Sequence, residues 1–152
     1  MALTSGTGAL VANDVAKDIL DHLTPNAGTQ ATTITITGPI KCALIVGASV
    51  NTVLGTECSD ANYARQSISW GSDAVTSGAG YGVGYVGKAN TVALTFGGAG
   101  GFAVAQTIYG VAYYSSDATP ILIAYENYAA TVSVGVNQQY IIPIGSATIA
   151  QS

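Results

Sequence analysis

The residues with chemistry to offer in this chain are few, and most of them sit close together. Glu57 and Asp60 flank Cys58 in Gly55-Thr56-Glu57-Cys58-Ser59-Asp60, and Tyr63, Arg65 and Gln66 follow within a few positions. Two neighbouring carboxylates are the kind of pair that hydrolyses glycosidic bonds, one as acid and the other as base or nucleophile. That chemistry also needs an aromatic platform for the sugar, and none is evident beside the pair. The same residues suit a structural role. Arg65 is the sole arginine, and a guanidinium makes planar, bidentate bonds to a carboxylate that a lysine ammonium cannot copy. The expectation is that Arg65 anchors the 55–62 loop to a sheet, with Glu57 or Asp60 as its carboxylate. The alternative has Arg65 reaching a neighbouring subunit. Strand alternation would place Tyr63 and Arg65 on one face, and Ala64, Gln66, Ile68 and Trp70 on the other.

The remaining candidates are weaker. His22 stands alone, without a visible nucleophile to activate or partners for a zinc ion, and reads as a helix C-terminal residue favoured by the helix dipole. Asp14, Asp18 and Asp21 are spaced for a solvated helix face and match no calcium loop. Gly82-Val83-Gly84-Tyr85-Val86-Gly87 fits G-x-G-x-x-G, but that motif holds a pyrophosphate only where it opens a helix. Here the strand-like Thr91–Phe96 comes next, so a Gly-rich strand or loop is expected. Cys42 and Cys58 have no Cys-x-x-Cys spacing and are expected as free thiols rather than a disulfide. No catalytic group, cofactor or metal is therefore expected.

The elements that position these residues are mostly short strands. Residues 1–12 read as a flexible arm, and residues 13–152 as one domain. Asn13 is an N-cap candidate, and Val15, Ala16, Ile19, Leu20 and Leu23 form an apolar stripe, so a helix is expected over about 13–23. The period then switches to two. Strands are expected at Thr33–Thr37, Ile40–Val46, Tyr63–Trp70, Val92–Phe96, Thr107–Tyr114, Ile121–Glu126, Thr131–Val136 and Tyr140–Ile144, with a short one at Ala147–Ala150. Turns are expected at Ser115–Ala118, Asn127-Tyr128 and Asn137-Gln138. This spacing predicts a mainly β fold, an antiparallel β-sandwich or jelly roll with one short N-terminal helix. No βαβ alternation appears, which argues against a parallel nucleotide-binding sheet.

Composition narrows the function classes. Of 152 residues only 8% are charged, 49% are hydrophobic and 19 are glycine, with a net charge of −4. A basic nucleic-acid face is not expected from four Lys+Arg against eight Asp+Glu. The longest apolar run, Ile40–Val46, is far short of the roughly 20 residues of a spanning helix. The N-terminal stretch Met1–Val11 has no positive n-region, so no secretory leader is expected. A mean hydropathy of +0.41 without a span points to surface covered by partner subunits, hence a homo-oligomer.

The run from Gly55 to Trp70, with Glu57 and the Tyr63-Ala64-Arg65-Gln66 element, resembles a family of small tailed-bacteriophage virion proteins. Thr107–Asp117 and Pro120–Tyr125 are similar to strands in the C-terminal half of such chains. The His-Thr-x-Asp-Pro-Gly run often found before the glutamate there is replaced by Ala48–Leu54. The resemblance implies a structural virion protein without enzymatic activity. Its leading form is a capsid decoration (cement) protein, made in the host cytoplasm and bridging major capsid proteins. A trimer is favoured by analogy with decoration proteins that fill threefold gaps. Glu57, Asp60, Tyr63, Arg65 and Gln66 are the candidate structural or interface residues. A tail or tail-fibre component contacting the host is the alternative, and a carbohydrate-binding module the third reading.

Overall fold

The computed structural model describes residues 10–11, 38–49, 53–71, 74–78 and 81–151, with backbone alone for 10–11, 74–78, 81–87 and 150–151. The expected helix over 13–23, the strand at Thr33–Thr37, His22 and the three aspartates at 14, 18 and 21 lie outside the described residues. The described chain is built from strands, and every pairing between them is antiparallel. They are β1 (Leu10–Val11), β2 (Lys41–Ile45), β3 (Gln66–Ser67), β4 (Ala74–Gly78), β5 (Tyr81–Ala89), β6 (Leu94–Phe96), β7 (Gln106–Tyr114), β8 (Leu122–Val134), β9 (Tyr140–Ile142) and β10 (Thr148–Gln151). Three sheets result, with orders β1-β8-β7-β2-β3, β10-β5-β4 and β6-β9.

β2 shows why the apolar run at 40–46 forms a central strand. Cys42 and Leu44 face one side of the five-stranded sheet, Ala43 and Ile45 the other, and all four are buried. A strand buried on both faces reads as a continuous hydrophobic run rather than as alternation. The main core lies on the Cys42–Leu44 face. There Ile108, Val111 and Tyr113 of β7 and Ala124 and Val134 of β8 meet Leu94, Phe96 and Ile142 of β6 and β9. The two-stranded sheet thus packs on the five-stranded one. A smaller cluster of Ala43, Ile45, Ala112 and Tyr125 occupies the opposite face.

Three expectations need correction. Leu10–Val11, placed in an unpacked arm, pair with Ala124–Tyr125 at the edge of β8. The Gly-rich motif at 82–87, by contrast, lies as expected in a strand, β5, which pairs with both β4 and β10. The Tyr63–Trp70 run is strand only at Gln66–Ser67, because the chain first turns at Asp60, whose carbonyl accepts the Tyr63 N–H at 3.0 Å. Finally, Asn127-Tyr128 does not reverse the chain. β8 runs through it, and the turn-forming residues instead sit where the β7 ladder slips from Gly110↔Asn127 to Ile108↔Val132. Four residues of β8, 128–131, stand opposite Tyr109 alone, a large bulge. Gly110 is required beside it, since a Cβ there would lie 2.1 Å from the Glu126 carbonyl oxygen.

The segment 66–71 serves two sheets in turn. It pairs with β2 through Cys42↔Gln66 and the Ile68 N–H to Ile40 carbonyl bond of 2.9 Å. It then pairs with the end of β5 through Thr91 N–H to Ser69 carbonyl (2.8 Å) and Gly71 N–H to Ala89 carbonyl (2.9 Å). Asn90, at that junction, is fully buried and satisfied. Its amide nitrogen donates to the Val92 and Pro143 carbonyls, and its side-chain oxygen accepts from the Ala147 N–H, each at 2.9 Å.

Candidate functional site: a clasp on the open edge of β2

Beyond Cys42, the edge of β2 that faces away from β7 is covered in two pieces. β3 pairs with Lys41 and Cys42, and residues 56–58 pair further along, with Val46 N–H to Thr56 carbonyl at 2.8 Å and Cys58 N–H to Leu44 carbonyl at 2.9 Å. Between the pieces the Leu44 N–H has no backbone acceptor. The Tyr63 hydroxyl fills that place, accepting from the Leu44 N–H at 3.1 Å. The same hydroxyl donates to Glu57 Oε1 at 2.9 Å. Arg65 closes the group from the other side, Nε to Glu57 Oε1 at 2.8 Å and Nη2 to Oε2 at 2.7 Å. Its guanidinium also lies over the Tyr114 ring, 3.8 Å from the centroid, a cation–π contact. The Tyr63 ring stacks on Phe96 at 6.1 Å and 12°. A side chain therefore stands in for a rung of the sheet, and an ion pair holds that side chain in place.

Asp60 performs a parallel task at the loop tip. Its Oδ1 accepts from the N–H groups of Asn62 (2.8 Å) and Ala103 (3.1 Å), and its Oδ2 from the Val104 N–H (3.0 Å) and Gln106 (3.4 Å). The Asn62 amide donates to the Gly101 carbonyl at 2.9 Å. Gly101 adopts φ +77°, and a Cβ there would lie 2.2 Å from the Asn137 backbone, so only glycine lets the two loops meet.

The electrostatics follow from these contacts. Partial burial pushes the Glu57 carboxyl up, but the hydrogen bonds from Arg65 and Tyr63 and the arginine charge outweigh it, leaving Glu57 below its ordinary value. Asp60 is also held low, first by the Asn62 N–H, with Ala103, Val104 and Gln106 adding to it against a smaller desolvation effect. Burial pushes the Tyr63 hydroxyl far up, with the Glu57 charge adding to it. A carboxylate held low is a weak proton acceptor at neutral pH, and a tyrosine held high does not ionise there. The cluster is arranged to hold geometry rather than to move protons.

Of the five residues singled out in the sequence, Glu57, Tyr63 and Arg65 meet in one group, and Asp60 anchors the adjoining loop. Gln66 stays apart, its amide donating to the Ala64 carbonyl at 2.9 Å. Of the two carboxylates offered to Arg65, Glu57 takes it. Sequence reasoning missed Tyr114 and the Leu44 N–H, which reach the site only through the pairing of β2 with β7 and with 56–58. Cys58 and Cys42 are both buried free thiols, and burial pushes Cys42 up to about 12. Among the described residues no three His, Cys, Asp or Glu side chains converge on a possible metal position. No protein-family model, curated protein or solved structure matches the chain.

Proposed function

We propose that this chain is a non-catalytic structural protein whose β-domain works through its surface. More particularly, it is a capsid decoration protein of a tailed bacteriophage, a homo-oligomer seated on major capsid proteins. The observation that carries this reading is the exposure of aliphatic side chains in and beside the β6–β9 ladder. Ile141 lies within the ladder, paired with Thr95, and Val92 and Ile144 lie just outside it, before β6 and after β9. These three aliphatic side chains are 52%, 57% and 66% exposed. Apolar surface of this kind, on a chain with few charges, suits contact with other subunits. The polar clasp supports the same reading, because its ionic groups are turned on one another rather than toward a substrate.

The finer architecture belongs to this proposal. The packing of the β6–β9 sheet on the Cys42–Leu44 face of the five-stranded sheet supports a sandwich, to which the stripe at 15–23 would add one short N-terminal helix. Counting copies by quantitative mass spectrometry of purified virions that encode the chain tests the function. Hundreds per particle support a head decoration, a few to a few tens place it in the tail, and absence from the particle overturns the virion reading.

A further inference from the structure

Glu126 is a carboxylate that neither the clasp nor the loop anchor uses. Register puts it in one cross-strand row with two buried aliphatic residues, Leu44↔Val111 and Val111↔Glu126. Its side chain therefore shares the core face of the five-stranded sheet, half-buried. Among the described residues none donates a hydrogen bond or an ion pair to it, whereas Glu57 and Asp60 each have several donors. The titratable groups that interact with it come from two other strands. Cys42 of β2 and Tyr140 of β9 feel its charge, and Tyr128, further along β8, is in turn bonded to Tyr140. Neither Arg65, which is bound to Glu57, nor Lys41, which adjoins Cys42 and so points to the other side of β2, is among them.

Two features make this a place that can give. The bulge at 128–131 begins immediately after Asn127, so β8 lacks regular rungs to β7 there. The Tyr128 side chain from that bulge carries a contact to β9, the Tyr140 hydroxyl donating to the Tyr128 hydroxyl at 3.0 Å.

We propose that Glu126 is a proton-operated joint between β8 and β9, closed when its carboxyl is neutral and loosened when the carboxyl ionises and draws in water. Burying an ionised carboxylate without a donor is costly, while the neutral acid is tolerated in the same place. Burial accordingly raises the Glu126 carboxyl above its ordinary value of 4.5. Burial also raises Cys42, Tyr128 and Tyr140, so these stay neutral while Glu126 titrates. The sign is then fixed. The folded joint binds its proton more tightly than the opened one, so closure weakens as pH rises through the raised value.

The test is native-state amide hydrogen exchange on the full chain between about pH 4 and 8, corrected for intrinsic rates, in wild type and Glu126→Gln. In the wild type, protection at 128–131 and 140–142 should fall with rising pH by up to about tenfold per unit within the titration range. In Glu126→Gln it should be high and flat. Carbon-13 NMR of the Glu126 carboxyl in the wild type provides a reading independent of the variant, and should show a midpoint above the ordinary glutamate value. Equal pH dependence in both proteins, a flat wild type, or an ordinary midpoint would each overturn the proposal.

Discussion

Tyr63→Phe isolates the most unusual bond of the clasp, the hydroxyl that completes the edge of β2. The substitution keeps the ring, and with it the stacking on Phe96 at 6.1 Å, so the apolar packing should survive. Two polar losses remain. The Leu44 N–H, on a residue with no exposed surface, loses its acceptor, at about 1–3 kcal/mol for a stranded buried donor. Glu57 loses one donor to an ionised carboxylate, worth about 1.5–3 kcal/mol when nothing replaces it. Glu57 keeps both Arg65 bonds and is 25% exposed, so water recovers part of the second loss. The sum is about 2–4 kcal/mol, a large share of the roughly 5–15 kcal/mol that holds a domain together. Urea unfolding reads this directly. With a slope of about 2 kcal/mol/M, the midpoint should fall by about 1–2 M without a change in slope. A double-mutant cycle with Glu57→Gln should then show coupling of about 1 kcal/mol or more. A loss under about 0.5 kcal/mol, or unchanged exchange protection at Leu44, would refute the claim that the hydroxyl serves as a rung.

Arg65→Lys retains the charge but surrenders the bidentate fork and the stacking on Tyr114, so it should cost about 1–2 kcal/mol in the isolated protein by the same unfolding assay. Unchanged stability of the free protein combined with lost incorporation into particles would make Arg65 an interface residue instead. Glu57 and Asp60 both sit below their ordinary values of 4.5 and 3.8, so the stability they contribute is complete above those values. It is lost as pH falls through the lower folded values. A thermal scan series across that acid range should show the loss, and Glu57→Gln should flatten the part due to Glu57.

Much of the strand framework was legible because its signal is local. The apolar run at 40–46 became β2 and Thr107–Tyr114 became β7, each within a residue or so, since a buried strand must be apolar whatever it pairs with. β8 was not legible. Asn127-Tyr128 has turn composition, and nothing local says whether such residues reverse a chain or fill a bulge; the partner strand decides, here by its close approach at Gly110. Tyr63–Trp70 misled for a related reason, because Asp60 turns the chain by bonding amides more than 40 positions away in sequence, at Ala103 and Val104. The clasp was half visible. A lone arginine near two acids announces an ion pair, and the two aromatic groups that complete it come from a ladder and a gap in another ladder. A gap has no composition.

The double pairing of 66–71 also has a mechanical meaning. Among the described residues this short strap carries hydrogen bonds to both the five-stranded and the three-stranded sheet, so a force that separates those sheets loads it. At one end the load falls on the Cys42↔Gln66 ladder and the Ile68–Ile40 bond, at the other on the two bonds that bracket Trp70 and Asn90. Bonds loaded together in shear share tension, whereas bonds peeled one at a time fail in succession. The direction of pull thus decides whether the strap behaves as a tether or as a tear line, and the buried Asn90 side chain, fastened to 92, 143 and 147, is the rivet at its far end.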